Sequence, residues 1–196
     1  MGPRRRGDDG GLYGDVRAMK SRLLPGAIAA LLTLALDQAS KLWLLYVFDI
    51  ARRGTVPVTS FFDLVLAWNI GISFGWLQND SQLVQTALMV VKAVAVIALG
   101  IWMARSRTPL ATIGLGLIIG GAVGNAIDRL AYGAVVDFAL FHLQIAGNTY
   151  YWYVFNVADT AIVAGVAALL YDSLLAPGDP SGTPQEDPPQ KRPDPG

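Results

Sequence analysis

Four long apolar stretches divide the chain, at roughly 23–48, 83–104, 110–127 and 151–175, and polar residues gather between and outside them. Each is near the ~20 residues a helix needs to cross a bilayer. The pattern therefore predicts four membrane-spanning helices, with both termini on one side. Glycine recurs every four residues at Gly116, Gly120 and Gly124, a stripe that lets neighbouring helices approach closely. The 49–80 stretch is too long and too apolar for a plain connector. Val56, Val58, Phe61, Phe62, Leu64 and Leu66, broken by Gly54 and Pro57, predict short strands lying on the membrane surface.

The expected organisation is thus an all-α membrane domain over 22–175, with helices over about 23–47, 83–104, 109–129 and 152–175. Outer loops occupy 49–80, rich in strand formers, and 130–150. The stretches 1–21 and 176–196, rich in Gly, Pro and charge, read as disordered tails. A cleaved secretory signal is a poorer account of the first stretch, because apolarity resumes at Leu42 and no small-x-small site follows Leu36. Arg4, Arg5, Arg6, Arg17, Lys20 and Arg22, with Arg105 and Arg107 between the second and third stretches, mark the cytoplasmic side. Both tails then lie inside and the two large loops outside.

Composition narrows the chemistry. Of 196 residues, 53% are hydrophobic and 15% charged, and the formal net charge is zero, which leaves no basic field for nucleic acid. There is no Cys and a single His, His142, so thiol catalysis and disulfides are excluded, and a histidine-rich metal site or a Ser-His-Asp triad would rest on that residue alone. No metal or cofactor is expected, and His142 reads as an interfacial loop residue. Acid–base work falls to Asp.

Charges inside apolar segments are costly and call for a reason. Asp37, Lys41, Lys92, Asp128 and Asp159 are five such residues. At ~1.5 Å per residue from the cytoplasmic ends, Asp128 lies about 30 Å, Asp159 about 24 Å and Asp37 about 22 Å deep, all toward the outer leaflet. The third and fourth segments repeat one pattern, Asn125-Ala-Ile-Asp128 and Asn156-Val-Ala-Asp159, which puts Asn and Asp on one helix face. If those faces meet, two carboxyls in a poorly hydrated space favour one shared proton. That is the arrangement for activating a water against an amide. Asp37 and Lys41, four apart, read as a structural pair. A proton or ion transporter and a non-catalytic scaffold held by ion pairs are the alternatives. The Ala, Gly, Val, Leu and Ile lining below Asp128 and Asp159 favours a site open only outward.

Taken together, the motifs resemble bacterial lipoprotein signal peptidase, the signal peptidase II family of integral-membrane aspartic peptidases. They are DQASK from Asp37 to Lys41, NIGISFG from Asn69 to Gly75, GGAVGNAIDR from Gly120 to Arg129, VVDF from Val135 to Phe138, and FNVADTAI from Phe155 to Ile162. The resemblance implies Asp128 and Asp159 as the catalytic pair, with Asn125, Asn156, Asn69, Arg129, Asp37, Lys41, Gly71 and Phe74 supporting the site or binding substrate. It also implies a four-helix bundle, an extracytoplasmic β-sheet cradle and a short amphipathic periplasmic helix within about 132–148. The implied partners are S-diacylglyceryl prolipoproteins and membrane lipids, met by a monomer in the bacterial cytoplasmic membrane.

Overall fold

The computed structural model describes residues 9–70 and 82–175. Helix α1 spans Asp9–Leu42 and runs on through a π-helical turn, Trp43–Val47, into the four-residue α2, Ile50–Arg53. Strands β1 (Val56–Pro57) and β2 (Phe62–Asn69) follow. Helices α3 (Gln82–Arg105) and α4 (Pro109–Tyr132) form the next antiparallel pair, and β3 (Val135–Ile145) and β4 (Asn148–Tyr151) precede the last helix, α5 (Val157–Leu175). Among the described residues, three helices are long and apolar enough to cross a membrane: Leu23–Val47, Pro109–Tyr132 and Val157–Leu175.

Stretch 9–21 is helical rather than disordered. Leu12, Val16, Met19 and Leu23 continue the helical spacing of the first apolar segment toward the N-terminus.

Helix α4 lies between α1 and α5, and glycine sets both contacts. A Cβ on Gly116 would meet the Gly26 carbonyl oxygen, and one on Gly120 the Ala30 carbonyl oxygen, both in α1. On the α5 side a Cβ on Gly121 would come within 2.5 Å of the Ala158 carbonyl oxygen. The 116/120/124 stripe therefore faces α1, and backbones touch where side chains are absent. Away from these seams Leu31, Val91 and Val163 are exposed, as expected where lipid is the solvent.

The four strands form one antiparallel sheet in the order β1-β2-β3-β4. Both outer loops contribute to it, and this corrects the amphipathic helix expected within 132–148. Helix α4 stops at Gly133, whose φ of +74° suits glycine, with its N–H donating to the Arg129 carbonyl. Beyond it, Val135, Val136, Phe138 and Phe141 favour a pleated strand. Ala146 and Gly147, at φ +51° and +83°, close a tight β3–β4 hairpin. Phe138 and Ala139 then pack against Leu44 and Ile50, seating the sheet on the C-terminal extension of α1. His142 lies on β3 rather than in a loop, its Nε2 3.2 Å from Asp63 Oδ2 on β2.

The last helix begins at Val157, five residues after its expected start, because β4 and the link to Phe155 hold the chain extended and Asn156 caps it. Asn156 Oδ1 accepts from the Asp159 N–H at 3.0 Å and Asp159 Oδ2 from the Asn156 N–H at 3.2 Å, a reciprocal capping box.

The close α1–α4 seam generates a stability prediction. Gly120→Val should destabilise the bundle by about 1–3 kcal/mol or more through overpacking, lowering the thermal unfolding midpoint in detergent. Val163→Ala, at a lipid-facing position, should change it little. Equal midpoints for Gly120→Val and the unaltered protein would show that the seam is not close-packed.

Candidate active site

Three helices and two strands bring their polar side chains to one point, where the sheet meets the C-terminal halves of α1 and α4 and the start of α5. From α1 come Asp37, Gln38 and Lys41, spaced to share a face. Lys41 is buried, and its ammonium, which only donates, finds three acceptors. They are Asp37 Oδ2 at 2.8 Å, Asp128 Oδ2 at 2.7 Å and Asn125 Oδ1 at 3.0 Å. The pairing expected between Asp37 and Lys41 is present, and it extends to α4.

Two carboxylates around one ammonium leave negative charge in excess, and neutral donors surround it. Asp37 Oδ1 accepts from the Ala158 N–H at 2.9 Å, a first-turn donor of α5 with no intrahelical partner. Asp128 Oδ2 also accepts from the Val136 N–H at 3.1 Å, and Gln38 Nε2 donates to Asp128 Oδ1 at 3.0 Å and Asp37 Oδ2 at 3.2 Å. Gly124 makes the room: a Cβ there would lie 2.5 Å from Asp37 Oδ2. Asp37 thus links α1 to the start of α5, and Asp128 links α4 to both α1 and β3.

Asp159 sits on the other side of Asn125. Asn125 Nδ2 donates to Asp159 Oδ1 at 2.9 Å, so Asp128 and Asp159 are joined through Lys41 and Asn125 lying between them. Asn156, fixed by its capping role, turns its Nδ2 to Asp137 Oδ1 at 2.7 Å, to Asn125 Oδ1 at 3.1 Å and to the Val136 carbonyl at 3.3 Å. Asn69, at the end of β2, donates from Nδ2 to Asp137 Oδ2 at 3.0 Å. Arg129 Nη1 reaches the Asn125 carbonyl at 3.5 Å.

Asp137, on β3 and 2% exposed, is the site residue that the sequence reading did not single out. Burial pushes its carboxyl above the ordinary carboxylate range; the Asn69 amide opposes this, the nearby Asp159 charge adds to it, and Asn156 and Lys41 oppose it again, leaving a net rise. The VVDF motif was its signal, an acid set among strand-forming apolar residues. Gln38, inside DQASK, is the other addition. Of the expected residues, Asp37, Lys41, Asn69, Asn125, Asp128, Arg129, Asn156 and Asp159 come together, while Gly71 and Phe74 lie outside the described residues. Among the described residues no group of three or more His, Asp or Glu converges as a metal site.

Comparison with known proteins agrees with this architecture. The family model described as signal peptidase (SPase) II matches residues 29–175. A lipoprotein signal peptidase of Rhodopseudomonas palustris is 71% identical over 150 residues, 76% of this chain and 92% of that protein. One from Nitrobacter hamburgensis is 71% identical over 153 residues, 78% of this chain and 93% of that protein. A solved bacterial membrane enzyme shares the fold with a TM-score of 0.62 at 23% identity, over 84% of this chain and 94% of its own. A family match over well over half the chain, relatives at this identity, and helices fit to cross a membrane agree with the motifs: the chain belongs to the signal peptidase II family of bacterial membrane peptidases.

Proposed function

We propose that the chain is an aspartic endopeptidase that removes the signal peptide from diacylglyceryl-modified prolipoproteins, cutting immediately before the lipidated Cys, with Asp159 and Asp137 as its working pair. One observation carries the assignment: Asn156 ties the two carboxyls together, its NH2 donating to Asp137 Oδ1 at 2.7 Å while its N–H and Oδ1 close the cap with Asp159. Two acids so disposed favour one proton between them. Asp128, which the sequence pattern put forward, is ion-paired to Lys41 at 2.7 Å and accepts from Val136 N–H and Gln38 as well. A carboxylate so neutralised is suited to holding α1, α4 and β3 in place.

In this mechanism the pair holds one proton, with Asp137 acting as the acid and Asp159 as the base. Asp159 takes a proton from water as the water oxygen bonds to the scissile carbonyl carbon, and Asp137 gives its proton to the carbonyl oxygen. The tetrahedral intermediate then collapses: the C–N bond breaks, the leaving amine takes the proton from Asp159, and a hydroxyl proton returns to Asp137. The new carboxyl and amine account for every atom of the added water, and the enzyme ends as it began.

Geometry supports the substrate class. Three crossings have a fourth beside them in our reading, α3, whose Val91, Val94 and Ile97 are exposed apolar residues. With the cations inward, the site faces the extracytoplasmic side and both termini are cytoplasmic. Acyl chains hold a substrate Cys at the membrane surface, at the depth of the site, and so replace much of the entropy cost of positioning the scissile bond.

Asp137→Asn and Asp159→Asn should each lower turnover of a diacylglyceryl prolipopeptide by about 10³-fold while leaving the fold intact. Asp128→Asn should instead lower stability by about 3 kcal/mol, because it strips Lys41 of a buried partner. Near-normal cleavage by Asp137→Asn would refute the assignment of the pair.

A pH dependence follows with a definite sign. Because the folded Asp137 binds its proton more tightly than the unfolded chain does, its contribution to stability is full below the unfolded value and lost as pH rises through the folded one. Activity that needs the Asp137 proton should fall over the same rise. Thermal unfolding across that range should lose this component in Asp137→Asn; an identical pH dependence in the variant would contradict it.

A further inference from the structure

We propose that a cavity at the opposite end of the bundle from the carboxylate cluster binds the headgroup of a phospholipid that carries both a phosphate and a primary ammonium. The cavity, of about 280 Å3, lies where the C-terminal end of α3, the α3–α4 turn and the last turns of α5 meet. Ala111 on its wall is about 26 Å along α4 from Asp128. The volume is close to the lower end of the range of about 300–1,000 Å3 that small-ligand sites occupy, which suits a headgroup rather than a whole lipid.

The chain's own bonds leave three polar side chains of the wall uncommitted. Ser106 Oγ donates to the Trp102 carbonyl at 3.1 Å, and Thr108 Oγ1 accepts from the Ala111 N–H at 3.1 Å as the cap of α4. Arg107, Asp172 and Ser173 remain. Among the described residues none of these three has a side-chain hydrogen bond or an ion pair, and Arg107 and Asp172 do not pair with each other. One guanidinium, one carboxylate and one hydroxyl thus line the same space.

Arg107 is exposed on the turn, and Asp172 is half-buried on α5. A guanidinium meets a phosphate through paired N–H donors, and a carboxylate accepts from an ammonium. A purely anionic headgroup would be repelled by Asp172 and a purely cationic one by Arg107, so the lining selects a zwitterion. A quaternary ammonium has no N–H to give Asp172, which sets a primary amine above choline. The border of the cavity indicates a lipid and not a free phosphate ester. Trp102 and Leu169 form its apolar part, and Leu170 and Leu174, on the same turns of α5 as Asp172, are exposed. Acyl chains find an apolar surface there, and an exposed Trp suits the headgroup boundary. In the orientation proposed above this is the inner leaflet. The leaflet alone rests on that reading; the site does not.

Native mass spectrometry of the full-length protein in detergent, titrated with phosphatidylethanolamine, phosphatidylglycerol and phosphatidylcholine of identical acyl chains, tests this. The unaltered protein should hold phosphatidylethanolamine about fivefold more tightly than either of the others, the scale of one partly exposed ion pair. Asp172→Ala should abolish that preference, and Arg107→Ala should weaken binding of all three by about the same factor. Both substitutions fall at positions that are not fully buried and should leave the unfolding midpoint in place. Equal affinities for the three lipids in the unaltered protein, or a preference that survives Asp172→Ala, would overturn the proposal. Glycerophosphoethanolamine, which has the headgroup without acyl chains, should compete at least tenfold less well; equal competition would make a soluble phosphate ester the occupant and overturn the lipid. Neither residue belongs to the carboxylate cluster, so cleavage of a diacylglyceryl prolipopeptide in detergent should be unchanged in both variants. Lost lipid preference with intact cleavage rejects the headgroup site alone, and absent cleavage with intact preference rejects the peptidase reading alone.

Discussion

A buried ammonium at membrane depth must have its partners within reach, and the partners of Lys41 come from two helices. Asp37 is on its own helix, while Asp128 and Asn125 are on α4. Satisfying that one cation therefore fixes the rotation and depth of α1 against α4. The rest of the contact follows from it. Gly124 is bare because Asp37 occupies the space a Cβ would take, and Gly116 and Gly120 are bare because the same close approach continues down the helix. The second oxygen of Asp37 then reaches across to the Ala158 N–H and docks the start of α5. Such a network is expensive to desolvate and more expensive to break in part, so it holds one arrangement of three helices in preference to neighbouring ones.

The start of α5 shows structure and chemistry sharing the same atoms. Asp159 satisfies the Asn156 N–H as a helix cap and, in the proposed mechanism, receives the proton of the attacking water. Asn156 closes the cap with its oxygen and turns its NH2 to Asp137. A capping pair is among the most rigid ways to hold a carboxylate, because its geometry is tied to the helix backbone. Strand β3 brings Asp137 to that cap from the side, with its neighbour Val136 bonded to Asp128 through the N–H and to Asn156 through the carbonyl. The sheet thus fixes the second carboxyl to the membrane bundle.

Much of this was legible in the sequence, for stateable reasons. Hydropathy located the helices, and the glycine period located the tight seam. The matched Asn-x-x-Asp spacing named four residues that do converge. What escaped notice lies where local pattern has no reach. The contact of Lys41 with Asp128 joins residues far apart in sequence, so the spacing that revealed the Asp37–Lys41 pair was silent about it. Asp137 carries no such signal, because it sits on a strand and not inside a long apolar helix. The outer segment expected as a helix is a hairpin because its β-branched and aromatic residues, and two positive-φ positions at Ala146 and Gly147, outweigh what the family resemblance implied.

The central claim is that Asp137 and Asp159 share one proton, with Asp137 the carboxyl whose burial favours the protonated form. Difference infrared spectroscopy of the detergent-solubilised protein observes a protonated carboxyl directly, without substrate. The account requires a protonated-carboxyl band in the unaltered chain that disappears in Asp137→Asn and persists in Asp128→Asn. A band that survives in Asp137→Asn and is lost in Asp128→Asn would contradict it.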